Sequence, residues 1–162
     1  MTPASMPARR DSEVLSLAVK LIRRDRKLTA AEVAERMRTP LRTYERFEAG
    51  GSRLNVDYIH RFAAATDSDP HAILAAVTIG SPEFALRGAD NKLATILAVG
   101  LQRFNYILGD RIQTLDARAI INAVCAMYEE LLREGGEQQR AAAWLDLGLT
   151  DLAMLRPKPG RS

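Results

Sequence analysis

The chain has 162 residues, 47% of them hydrophobic, which suits one or two globular domains and excludes both a disordered tail and a large enzyme. A single cysteine, Cys125, excludes a disulfide framework and a cysteine-based zinc site, and no apolar run approaches the ~18 residues of a membrane helix. A net charge of +3 with a pI near 9.3 permits nucleic acid as a partner without requiring it. The excess lies in the first half: residues 1–80 hold 13 Lys+Arg against 10 Asp+Glu, and residues 81–162 hold 10 against 10. Between Lys20 and Arg53 it sharpens to 10 basic against 5 acidic residues, a local basic face. The opening "MTPASMPARR" has no apolar stretch behind its arginines and does not read as a secretion signal, so residues 1–11 are expected to be a flexible arm and the protein cytoplasmic and nucleoid-associated.

Apolar residues recur at spacings of three and four throughout, which predicts helices and no strands. Val14, Leu15, Ala18, Leu21 and Ile22 mark the first. Thr29 offers an N-cap oxygen with Glu32 three residues later, as in a capping box, and Val33, Ala34 and Met37 give the second helix its buried stripe. Thr39 as an N-cap hydroxyl, followed by Pro40 at the first helical position, predicts a third helix over 40–48, with Tyr44 and Phe47 inward and Gly50-Gly51 as its left-handed stop. Asn55 is expected to cap a fourth helix carrying Ile59, Phe62 and Ala63, and Asp69-Pro70 to open a fifth through Ile73, Leu74 and Val77.

Only a few residues separate helices two and three, the length of the tight turn in a helix-turn-helix. With Tyr44 and Phe47 buried, the 100° step per residue places Leu41, Arg42, Glu45 and Arg46 on outward faces. Side chains so placed can enter a DNA major groove, where arginine donates two hydrogen bonds to guanine O6 and N7.

Across residues 14–77 the chain resembles the Cro/repressor-type (Xre-like) helix-turn-helix proteins. The resemblance is carried by "LTAAEVAERMRTPLRTYERFEAG", through its apolar spacing, Ala34, Glu48 and Gly50. It implies an N-terminal five-helix DNA-binding domain over 12–80. It also implies base-edge contacts from Leu41, Arg42, Thr43, Glu45 and Arg46, and phosphate contacts from Ser52 and Arg53 after Gly50, with Thr29 a further phosphate candidate. An ion pair between Arg23 and Glu48 is implied as structural. At two positions the chain departs from the pattern. Ala30 stands where members usually carry a phosphate-contacting glutamine, and Arg38 replaces the glycine of the turn. Arg38 either holds a phosphate in its place or is a solvated side chain.

Residues 81–156 are expected to form a second, helical-bundle domain, without a recognised motif. Ser81-Pro82 starts a short helix ending near Gly88. Asp90 caps a longer one whose stripe includes Leu93, Leu97, Leu101, Phe104 and Leu108 before Gly109. Asp116 caps the next, with Ile120, Val124, Tyr128 and Leu132 on its apolar side, and Gly135-Gly136 ends it. Residues 137–147 make another, with Trp144 and Leu145. A final turn capped by Thr150 presents Leu152 and Leu155 before a disordered basic tail over 157–162. Leu97, Leu101, Phe104 and Leu108, with Val124, Tyr128 and Leu132, are the candidate dimer or partner surface. A homodimer would suit a small reader of two-fold operators, and RNA polymerase or another protein is the alternative partner.

Nothing points to catalysis: there is no glycine-rich phosphate loop, zinc-ligand spacing or nucleophile elbow, and no cofactor or metal is implied. His60 and His71 read as packing or surface histidines, and Cys125 as a buried, inert thiol on the apolar face of its helix. The expectation is an all-α, sequence-specific DNA-binding transcriptional regulator, a repressor by default. A protein-binding adaptor, an activator acting through the second domain, and the antitoxin of a toxin-antitoxin pair remain the alternatives.

Overall fold

In the computed structural model, the described residues are 10–133, 145–150 and 152. Most of the arm expected at 1–11, together with Gly135-Gly136, Trp144, Leu155 and the tail expected at 157–162, lies outside them. Every regular element among the described residues is helical, so the chain is all-α. It divides into two compact units, the first running to Thr95 and the second beginning at Ile96.

The first unit is built on α1 (Asp11–Asp25), which buries Val14, Leu15, Ala18, Val19 and Ile22 along one side. Around it come α2 (Ala30–Arg36), α3 (Leu41–Glu48), α4 (Val56–Thr66), α5 (Pro70–Ile79) and α6 (Pro82–Arg87). The starts follow from side-chain caps. Thr29 Oγ1 accepts from the Glu32 amide at 3.2 Å while Glu32 accepts from the Thr29 amide at 2.7 Å, which satisfies two helix-end donors reciprocally. Asn55 Oδ1 accepts from the amides of Asp57 and Tyr58, and Asp69 from that of His71. At the centre, Tyr44 and Phe62 lie nearly parallel with ring centroids 6.5 Å apart, and Phe47 tilts against both at 6.2 Å.

Two helix starts differ from the sequence expectation. Helix α3 begins at Leu41, with Pro40 in the cap position, and Thr39 does not cap it. The Thr39 hydroxyl is buried; it donates to the Met37 carbonyl at 3.2 Å and accepts from Arg61 Nη2 at 2.8 Å. Asp90 likewise does not cap the long helix α7 (Leu93–Leu108), because Arg26 Nη2 claims its carboxylate at 2.5 Å and Asn91 Oδ1 accepts from the Leu93 amide instead.

The first unit also extends beyond Gly80, where the sequence places the boundary. Helix α6 packs against α1 and α5, with Pro82 and Ala85 buried. Past it, the fully buried Asp69 accepts from the Thr95 amide at 3.1 Å and from the Thr95 hydroxyl at 2.6 Å, which fixes the first turn of α7 to the start of α5.

In the second unit, Gly109 (φ +52°) ends α7, a 3-10 turn covers Gly109–Thr114, and Asp116 caps α8 (Ala117–Leu132). Residues 145–150 and 152 are helical, and Thr150 lies within that helical stretch rather than capping a new turn, its hydroxyl donating to the Asp146 carbonyl at 3.1 Å. Among the described residues of this unit, Val99 is the one buried hydrophobic side chain, and α8 has none.

Burial opposes ionisation of Asp69, but the neighbouring His71 side chain, the Thr95 hydroxyl and the amides of Thr95 and His71 outweigh it and hold the carboxyl below the usual carboxylate range. A lowered folded-state pKa adds stability above the unfolded value of about 3.9, and this is lost as the pH falls through the folded value. Wild type should therefore lose stability on acidification below about pH 4 more steeply than Asp69→Asn. Urea denaturation across that range checks the difference in slope.

Candidate nucleic-acid interface

Helix α3 is eight residues long and sharply two-sided. Tyr44, Phe47 and Glu48 are buried, whereas Leu41, Arg42, Thr43, Glu45 and Arg46 are all exposed. The far end of the helix is fixed three times over. Ser16 Oγ donates to the Glu48 carbonyl at 2.7 Å, and Arg23 Nε donates to Glu48 Oε1 at 2.6 Å. Gly50 adopts φ +75°, and a Cβ there would stand 2.6 Å from the Ser12 carbonyl oxygen, so only glycine fits against α1.

The Arg23–Glu48 pair is largely shielded, with side-chain exposures of 18% and 9%. The hydrogen bond to Glu48 and its charge raise the Arg23 pKa against the opposing effect of burial. Arg23 Nη1 also donates to the Leu28 carbonyl at 3.0 Å. The Tyr44 hydroxyl lies beside this pair, and burial together with the Glu48 charge pushes the phenol well above its ordinary range.

The turn between α2 and α3 is held from α4. Arg61 donates to the carbonyls of Met37 and Arg38 and to Thr39 Oγ1, and its guanidinium lies 5.2 Å from the centre of the Tyr58 ring. Arg38, which stands in place of the resembled family's glycine, is exposed with φ +51°. A left-handed conformation costs a residue with a Cβ roughly 1–2 kcal/mol. Nothing in the sequence spacing marks Arg61 as the anchor of this turn, because it sits 22 residues beyond Thr39.

Arginines of the first unit divide by use. Arg23, Arg26, Arg36 and Arg61 are engaged internally, Arg26 through the carbonyls of Thr66 and Asp67 and the Asp90 carboxylate, Arg36 through the Ala65 carbonyl. The basic excess in the sequence is therefore only partly available at the surface. Arg38, Arg42, Arg46 and Arg53 are exposed, and their side chains take no hydrogen bond or ion pair with the described residues. Three of the positions assigned from sequence lie together: Thr43, Ser52 and Arg53 line one shallow groove with Leu54, Asn55 and Val56. The Arg46 stem lies over Gly51, where an added Cβ would be 3.2 Å from its Cγ. Thr29 differs from them. Its amide and hydroxyl both donate to Glu32 Oε2, at 2.7 and 2.8 Å, so neither is open to a phosphate.

Elsewhere, His60 and His71, eleven residues apart, meet edge to face at 5.7 Å, and the His71 Nδ1 is 3.0 Å from Thr95 Oγ1. Of the candidate second-unit surface, Leu97 and Leu108 are half-buried, while Leu101, Phe104, Val124, Tyr128 and Leu132 are exposed. Cys125 is exposed, not buried as expected, because the described residues leave α8 uncovered along its length. Among the described residues no cluster of His, Cys, Asp or Glu could hold a metal ion, and no helix is long and apolar enough to cross a membrane. No protein-family model, curated protein or solved structure compared with this chain matches it.

The shielded pair generates a stability prediction. Glu48→Ala removes the main partner of Arg23 and should cost on the order of 2 kcal/mol, as loss of a shielded charged hydrogen bond does. Urea titration gives the magnitude, and an unchanged midpoint would show that the pair contributes nothing.

Proposed function

We propose that this chain is a sequence-specific DNA-binding transcriptional regulator of the helix-turn-helix type, a repressor by default, which reads duplex DNA with α3. One observation carries the proposal: a helix locked by its buried side presents Arg42 and Arg46 with no partner among the described residues. Unpaired guanidiniums on a rigid helix suit bidentate contact with guanine in a major groove. Leu41 supplies an apolar contact to a thymine methyl, and Thr43 and Glu45 are polar neighbours on the same exposed side. The flanking cations support a positioning role, Arg53 from the loop after α3 and Arg38 from the turn before it, since phosphate contacts set the register of a reader without carrying sequence information. The same support favours Arg38 as a phosphate contact over a merely solvated side chain. Repression needs only occupancy of a promoter and no additional surface. The function proposed is binding, with no catalytic step.

Selection of a preferred duplex from a random library, followed by titration at several salt concentrations, tests the proposal. Arg42→Ala or Arg46→Ala should cost about 1–3 kcal/mol on the selected site while leaving nonspecific binding nearly unchanged. Arg53→Ala should weaken all duplexes alike and reduce the slope of log K against log salt by about 0.9, the value for one phosphate. Selection that returns no preferred site, or α3 variants that bind it normally, would remove α3 as the reader.

A further inference from the structure

Helix α8 has the composition of a covered helix and the exposure of an uncovered one. From Ala119 to Tyr128 it carries no charged residue. Yet Ile121 is 60% exposed, Tyr128 48%, Leu131 59% and Leu132 83%. Ile120, Val124, Met127 and Leu131 follow one another at intervals of four, three and four, the spacing of a seam that packs against another helix. Helix α7 repeats that spacing at Leu97, Leu101, Phe104 and Leu108. One side of α7 is closed within the unit, since Val99 packs so tightly on Gly148 that a Cβ there would collide with it. Its other side is open, with Leu101 68% and Ile107 73% exposed.

We propose that the open sides of α7 and α8 are closed by the same sides of a second copy of this chain, with α8 packed on α8 across a two-fold axis. Area favours this occupant. Eleven large hydrophobic side chains of the two helices are exposed, and at roughly 75 Å² of apolar area each they reach the ~800 Å² per partner of a stable interface. That exceeds the ~300–600 Å² of the largest patch on an ordinary monomer. A two-fold interface needs only one self-complementary surface, and an uncharged stripe meets its own copy without opposing like charges. The helical core of the second unit is then completed between copies, which accounts for the lack of buried side chains in α8. None of this depends on DNA binding.

Sedimentation equilibrium of the full chain at micromolar concentration, without DNA, should give twice the 17.9 kDa chain mass. Val124→Glu combined with Leu131→Glu should return it to one chain mass, with the unfolding transition of the first unit retained. Should that variant fail to fold, the wild-type chain still decides the matter. Cys125 is the sole cysteine and lies midway along α8, so a spin label there has a magnetic neighbour only in a second copy. Helices packed about 8–10 Å apart bring the two labels into strong dipolar coupling. A monomer, or a dimer lacking that coupling, overturns the proposal. A coupled dimer with no preferred DNA site upholds this inference and removes the functional one, and a monomer that binds a specific site does the reverse.

Discussion

The first unit depends on how the end of α3 is joined to α1. Three unlike contacts meet there: the ion pair of Arg23 with Glu48, the Ser16 hydroxyl on the Glu48 carbonyl, and the bare Cα of Gly50 against the Ser12 carbonyl. Each restricts a different freedom. The ion pair resists rotation about the helix axis, the hydroxyl replaces a helix-end hydrogen bond, and the glycine allows backbone to approach backbone. With Tyr44 and Phe47 in the aromatic centre, α3 has no slack on its inner side. The side chains on its outer side are therefore positioned by the core and not by one another.

That distinction explains why the charge pattern of the sequence is a poor map of the surface charge. Arg26 and Arg61 act as clasps on backbone carbonyls, where a guanidinium with five donors closes loops that have no regular hydrogen bonds of their own. Arg38 is the converse, an exposed charged residue in a backbone conformation suited to glycine, whose carbonyl is held by Arg61 while its own side chain clasps nothing among the described residues. Counting cations between Lys20 and Arg53 measures both kinds together.

What the sequence reveals is local. Thr29, Asn55, Asp69 and Asp116 were legible as caps because a short polar side chain acts within three residues of itself. The outward side of α3 was legible because two buried aromatics set the phase of a short helix. Thr39 and Asp90 depart from that local pattern for one shared reason. Each has a local role available and is taken instead by an arginine distant in sequence, Arg61 and Arg26. The same limit moved the unit boundary, since nothing near Gly80 indicates that α6 packs back on α1. The apolar character of its helix points Cys125 to a core, although that character says only that α8 needs cover and not where the cover comes from.

Helix α8 has sixteen residues, close to the ~12–15 below which an isolated helix is marginal in water. Most helical stability in a protein comes from packing, and within the described residues α8 has little of it. Its amide protons should therefore exchange with solvent at a rate set by whatever covers its apolar side, while those of α1 report the free energy of the first unit's own core. Where the cover is another molecule, mass action enters, and dilution loosens one end of the chain while leaving the other unchanged.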